Sequence, residues 1–328
     1  MIALKQMIRS LLKITARGFG ECCGVALETD VCRPKPSMAT CLQNLKYFLA
    51  TARKSFLGAI GLSSEKIWPQ GIRCGVVFSF DNDDESGMID AFGPDKMFYV
   101  SQGYYDTNAG TWRVLRILER HNVKATFCMV GRTAEKRPDV VKAIQDKGHE
   151  VAVHGWDHRP YYNMSTEEER SDIQRTVDSV QKITGKRPTG HRTPDWNPSK
   201  STVNLLHEIG GFTWRGDSLD NDLPYIHKFD DGKNIVELPS AITLDDYDNY
   251  AERGYSPQEV FELWRDEFDV LYEEGKFYCL TMHPLVTGRP APSKTLEKIV
   301  TYVKSHEGVW IARADEIASY WLSHHGSE

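Results

Sequence analysis

From Trp68 onward, short apolar runs alternate with amphipathic stretches, and this alternation restricts the chain to a largely parallel sheet covered by helices. Residues 74–80, 125–130, 150–153, 190–192, 212–214, 235–238, 277–282 and 309–312 read as strands. Between them, residues 111–121 carry Trp112, Leu115 and Leu118 at helical spacing, and residues 138–147, 201–209, 294–305 and 315–322 read as further helices. Two helix starts are marked chemically. Ser165-Thr-Glu-Glu168 has the spacing of a capping box and opens a stretch that stops at Gly185. Ser256-Pro-Gln-Glu259 supplies a cap, a first-turn proline and a third-position acid before a helix that runs to Glu274.

The sheet can be open or closed into a barrel, and 328 residues suffice for one barrel-sized domain. We divide the chain into an N-terminal extension (1–66), a catalytic domain (67–323) and a short tail (324–328). Residues 1–17 carry only positive charges among aliphatic residues, which reads as a basic amphipathic helix; targeting and simple docking are both compatible with it. No apolar run is long enough to cross a bilayer and no secretory leader is evident, so a cytoplasmic location is expected. A net charge of −6 provides no basic field for nucleic acid. The expected partner is a small molecule or a glycan, and a homo-oligomer is left open. Of seven cysteines, Cys74, Cys128 and Cys279 fall inside strands and read as core residues.

The polar residues capable of chemistry share one position in these units. Asp81 and Asp83 follow the first strand, His154 the third, Arg192 the fourth, Asp217 the fifth and His283 the strand at 277–282. In a β/α barrel such strand ends open on one face, where catalytic groups gather. His154 and His158, four residues apart, together with the acid-rich segment Asp81-Asn-Asp-Asp-Glu85 form a candidate divalent-metal site. Two imidazoles and one carboxylate suit zinc and leave positions for water and substrate. Residues 85–110, rich in glycine and aromatics, read as a long loop that walls or covers the pocket, or as a packed surface excursion.

The aspartate-rich turn, the His154-x-x-x-His158 pair, Arg192-Thr-Pro194 and Leu280-Thr-Met-His283 resemble, in order, the motifs of the polysaccharide deacetylase family (NodB-like, carbohydrate esterase family 4). The resemblance implies a distorted (β/α)7 barrel holding zinc or a related divalent ion through one Asp and two His. Asp81-Asn82-Asp83 replaces the customary adjacent Asp pair and is similar to the branch containing Helicobacter-type peptidoglycan deacetylases and cyclic imide hydrolases. By that similarity Asp81 is the base and Asp83, with His154 and His158, a metal ligand; Asp84 is a weaker substitute. Strand alternation sends Asp81 and Asp83 to one side. The resemblance further makes His283 the acid that protonates the leaving nitrogen, Arg192 the partner of the catalytic aspartate, and Asp217 or Asp220 the group orienting His283.

For substrate contacts, Trp156, Asp195, Trp196 and Asp217 are the candidates; Trp156, Trp214, Tyr247 and Tyr250 together could line a ring-binding pocket, with core aromatics the commoner reading. His149, His191 and His227 read as structural. The resulting expectation is a metal-dependent hydrolase of non-peptide carbon-nitrogen bonds, of the N-deacetylase type. A cyclic imide or amide hydrolase is the alternative, and a non-catalytic carbohydrate-binding protein of the same fold is the contrasting class.

Overall fold

The computed structural model describes residues 67–326. The expectations for residues 1–66, including a basic helix, and Cys22, Cys23, Cys32 and Cys41 lie outside the described residues. In chain order the elements are β1 (Cys74–Asn82), α1 (Glu85–Phe92), α2 (Met97–Gly103), a π-helical turn (Asp106–Gly110) and α3 (Thr111–Arg120). Then come β2 (Thr126–Met129), α4 (Gly131–Lys136), α5 (Pro138–Asp146), β3 (Glu150–Val153), α6 (Thr166–Thr184), β4 (Gly190–His191) and α7 (Thr202–Ile209). The C-terminal part adds β5 (Trp214–Arg215), β6 (Tyr225–His227), β7 (Ile235–Glu237), α8 (Pro257–Glu274), β8 (Phe277–Met282), α9 (Pro290–Lys304), β9 (Val309–Ile311) and α10 (Ala314–His325).

The nine strands form one curled, open sheet in the order β6-β7-β5-β4-β3-β2-β1-β8, with β9 beside the start of β1. Every pairing is parallel except β6 with β7. The expected deacetylase-type α/β fold is therefore present, with nine strands among the described residues where the resemblance implied seven and the residue pattern gave eight. No helix among the described residues is long and apolar enough to cross a membrane.

Side-chain alternation explains how this sheet builds a site. On β1, Cys74, Val76, Phe78 and Phe80 face the helices and join the larger core cluster, where Phe80 stacks on Phe127 at 5.0 Å. Val77 faces the inside of the curl, in a second cluster with Cys128, Ala152, Trp214, Val236 and Cys279. Following each inner row toward the strand's C-terminal end replaces apolar groups by polar ones: Val77 gives way to Ser79, Asp81 and Asp83, Ala152 to His154, and Cys279 to Thr281 and His283. Burial of the apolar rows, at about 1.5–3 kcal/mol per large side chain, holds the frame that brings those ends together. At Gly190 only hydrogen fits, since a Cβ would meet the Trp214 indole at 2.1 Å.

Helix ends follow the sequence signals. Ser165 with Glu168 and Ser256 with Glu259 form reciprocal capping boxes. Gly185 and Gly275 close the same two helices at φ 70° and 73°, a region that β-carbons disfavour. The segment 85–110 differs from the expected loop: it is α1, α2 and a π-helical turn in succession. α10 likewise continues through His325, so the expected tail begins later.

Candidate functional site

Asp81 and Asp83 stand two residues apart at the C-terminal end of β1, both nearly inaccessible and both bordering one cavity. His154 follows β3, and the chain then turns through Gly155 (φ 67°), where a Cβ would approach Pro194 Cγ to 2.9 Å. That turn returns His158 to the cavity with φ 62°, a strained value for a residue with a β-carbon. Asp84, Asp195 and Trp196 also hold positive φ, so four of the five such non-glycine residues among those described flank the site. Strain concentrated here is the pattern expected where side-chain placement outranks backbone comfort.

His154 Nε2 lies 3.4 Å from Asp83 Oδ1, and His158 Nε2 lies 3.5 Å from Asp83 Oδ2. Ligand atoms of the three residues all fall within 4.8 Å of one another. Bond lengths of about 2.0–2.2 Å to a tetrahedral zinc would separate neighbouring ligand atoms by about 3.3–3.6 Å, which fits. Three further observations agree. Asp83 Oδ1 is buried without a hydrogen-bond partner. His154 Nδ1 sits 2.9 Å from the Arg192 carbonyl, which fixes the proton there and leaves Nε2 as a lone pair turned to the cluster. Burial pushes the His154 pKa down despite Asp81 and Asp83 nearby, keeping the imidazole neutral as a ligand must be. The donor set thus suits a divalent cation.

Asp81 is held from behind. Arg192, only 2% exposed, donates from Nη1 to Asp81 Oδ1 at 2.7 Å. The same guanidinium reaches Ser79 Oγ at 3.1 Å and the Gly216 carbonyl at 3.2 Å, which fixes its plane. Burial raises the Asp81 carboxyl, but Arg192, His154 and His283 together overcome this and hold it below the usual range. Its second oxygen, Oδ2, is left facing the cluster, 3.8 Å from His154 Nε2. His283 Nε2 lies 3.8 Å from Asp83 Oδ2 on the opposite side.

The partner that orients His283 is Asp246, not Asp217 or Asp220. Asp246 Oδ1 is 2.7 Å from His283 Nδ1, and its carboxylate also accepts the backbone N–H groups of His283 and Thr287. Burial opposes the imidazolium, yet Asp245 and Asp246 outweigh it and raise the His283 pKa well above its ordinary value. Asp217 instead accepts from Thr193 N at 2.6 Å and Thr193 Oγ1 at 3.0 Å, and pairs with Arg215 at 3.2 Å. It secures the turn after Arg192 and does not line the cavity, which removes it from the expected substrate contacts. Asp220 is exposed beside the Tyr225 hydroxyl.

The cavity above the cluster measures about 250 Å³. Asp195 and Trp196 line it, but Trp156 does not: its ring is buried under the Arg175 guanidinium at 3.5 Å and against Gly131. Trp214 is likewise core, donating to Glu150 at 2.8 Å, and Tyr250 bonds Thr295. The segment 85–110, read as a pocket wall, contributes Met88 and Ala91 of α1, and Tyr247 lines the cavity too; Ile242 and the acids Asp245, Asp248 and Glu252 were not anticipated from the sequence. That run of charge was visible as a second acidic segment, but no apolar strand immediately precedes it. Asn82, between the two aspartates, points away from the cavity toward Asp106 and Thr111.

In sequence and fold the chain is similar to known proteins. A sequence profile for polysaccharide deacetylases matches residues 95–212, which include the histidine pair and Arg192. The peptidoglycan deacetylase of Helicobacter pylori is 28% identical over 281 residues, 75% of this chain and 96% of the relative. The crystal structure of Puue allantoinase superposes with a TM-score of 0.74 at 29% identity, covering 81% of this chain and 97% of that one. A putative polysaccharide deacetylase from Mycobacterium smegmatis superposes with a TM-score of 0.74 at 32% identity, over 79% of this chain and 93% of that structure. With this extent of likeness, the chain belongs to the polysaccharide deacetylase family.

Proposed function

We propose that the protein is a zinc-dependent hydrolase that removes the acetyl group from an N-acetylated amino sugar. The observation that carries this reading is the convergence of Asp81, Asp83, His154, His158 and His283 on one cavity, with the two flanking groups biased to opposite protonation states. Asp83, His154 and His158 would hold the ion, and imidazole nitrogen with carboxylate oxygen favours zinc. A bound divalent cation supplies polarisation of the amide carbonyl and acidification of water.

The chain's own groups then divide the proton traffic. Asp81, kept ionised by Arg192, accepts a proton from the attacking water at Oδ2, since Oδ1 is already engaged. His283, kept protonated by Asp246, delivers one from Nε2 to the departing nitrogen, which would otherwise leave as an amide anion. Water adds to the acyl carbon, the carbon-nitrogen bond breaks, and carboxylate and amine result. Trp196 and Tyr247 offer apolar faces for a sugar ring against the acidic wall.

A second reading is ring opening of a small cyclic imide or amide, which uses the same groups. The cavity favours it on one count, because about 250 Å³ suits a compact ring at least as well as a chain of sugars. Zinc-loaded protein incubated with an N-acetylglucosamine oligomer and, separately, with succinimide and a hydantoin distinguishes the two. Acetate release that disappears in Asp81→Asn supports deacetylation; ring opening without acetate release supports the second reading. Glycan binding with turnover of neither would place the protein in the non-catalytic class.

A further inference from the structure

Asp83 Oδ1 is buried without a hydrogen-bond partner, so that oxygen has no neighbouring donor to aim it at an ion. Its direction must come from the backbone on either side, and both neighbours are tied to one buried carboxylate, Asp106. Asn82 Nδ2 donates to Asp106 Oδ1 at 2.6 Å and to Thr111 Oγ1 at 2.8 Å, while Thr111 Oγ1 itself donates to Asp106 Oδ1 at 2.9 Å. On the other flank, Asp84 N donates to Asp106 Oδ2 at 3.4 Å. Thr107, the next residue along, donates to Asp84 Oδ1 at 3.0 Å and is in turn held by Arg137 at 2.8 Å. Asn82, Asp106 and Thr111 are all fully inaccessible.

The contact is made by an unusual backbone. Asp106 opens a π-helical turn, a rare form that is frequent at functional sites. Asp84 holds φ 52° and ψ −135°, sparsely populated for any residue with a side chain. Gly103 lets α2 press against this bend, since a Cβ there would meet the Asp84 carbonyl at 2.4 Å. Ser86 N and Thr133 Oγ1 also reach the Asp83 carbonyl, at 3.0 and 3.3 Å, but they leave the two flanking residues free.

We propose that Asp106 is a positioning residue for the metal-binding turn, acting through Asn82 on one side of Asp83 and Asp84 on the other. The inference rests on the metal centre described above. It also accounts for the amide at position 82: an aspartate there would set two buried carboxylates within 2.6 Å of each other. An amide facing a carboxylate is the pairing that fits, and it fits in either order along the pair.

The test is zinc affinity of the full chain, stripped of metal and titrated in competition with a chromophoric chelator. Wild type is compared with Asn82→Asp, Asp106→Ala and the exchanged pair Asn82→Asp/Asp106→Asn. Each single variant is expected to bind zinc about tenfold or more weakly, the range seen when groups behind a ligand are removed. The exchanged pair restores one amide and one carboxylate and should return to within about threefold of wild type. Thermal unfolding of the metal-free proteins is recorded alongside, because a purely structural role would lower the melting temperature and leave zinc affinity alone. Unchanged affinity in a folded single variant overturns the proposal, as does an exchanged pair no tighter than Asn82→Asp. Should that variant fail to fold, the isosteric Asp106→Asn replaces it, and wild-type affinity there is equally contrary. A wild-type chain that takes up no zinc would remove the metal-centre reading itself, and this inference with it.

Discussion

Asp81 and Asp83 are chemically identical side chains two residues apart, and their surroundings divide their roles. Arg192 satisfies one oxygen of Asp81 and stabilises its charge, while Asp83 keeps Oδ1 unpartnered toward His154 and turns Oδ2 toward His158. Replacing Asp81 by Asn should therefore lower kcat by about 10²-fold or more, the range for a lost general base, while zinc affinity changes by less than about threefold. Chelator competition beside acetate release measures both. Asp246→Asn should reduce kcat with little change in KM, because it unsettles the donor and not the pocket wall; steady-state kinetics on the same substrate reads this. At this scale the sequence revealed residues that end apolar runs, since strand alternation already implies where they point. It did not reveal Asp246, which lies 37 residues before its partner and follows no strand. Nor did it exclude Trp156, whose neighbour Arg175 lies 19 residues further along, on α6.

Among the elements, α6 does more than cover the sheet. Its Asp172 accepts from Trp156 N at 2.9 Å and from the Tyr161 hydroxyl at 3.0 Å, both at Oδ1, and so steadies the segment that carries the two histidines. Burial lifts the Asp172 pKa to about 6 from an ordinary 3.8. The folded chain consequently holds this proton more tightly than the unfolded chain. Its contribution to stability is complete below about pH 4, declines as pH rises to about 6, and is flat above. Asp172→Asn keeps an oxygen for both donors and removes the titration. We expect it to be more stable than wild type at pH 8, by up to roughly 3 kcal/mol, with the difference vanishing near pH 3.5. Urea unfolding at the two pH values checks this, and a less stable variant at pH 8 would contradict it. The helices with capping boxes were legible from four-residue motifs, because a cap is a local event. α1 and α2 were not, being short, interrupted by Gly93-Pro94 and stabilised by tertiary packing more than by periodicity.

The fold of the whole molecule was legible because a parallel sheet must alternate with helices and must deliver its strand ends to one side. What sequence could not supply was the count and closure of the sheet. β4 and β5, two residues each, fall within or at the end of stretches that read as strands, whereas β6 (Tyr225–His227), a three-residue antiparallel edge strand, gave no such signal. The curl nonetheless brings β1, β3, β4 and β8 to one cavity, and the likeness to structures of deacetylases and of an allantoinase extends over most of the chain. The central claim is that one divalent cation is held by Asp83, His154 and His158. Zinc titration of the full chain by calorimetry, repeated on Asp83→Ala and His154→Ala, tests it most directly. The account predicts one equivalent bound to wild type and a loss of affinity of about 100-fold or more in each variant. Wild-type affinity retained in both folded variants, or no zinc bound by the unaltered chain, would contradict it.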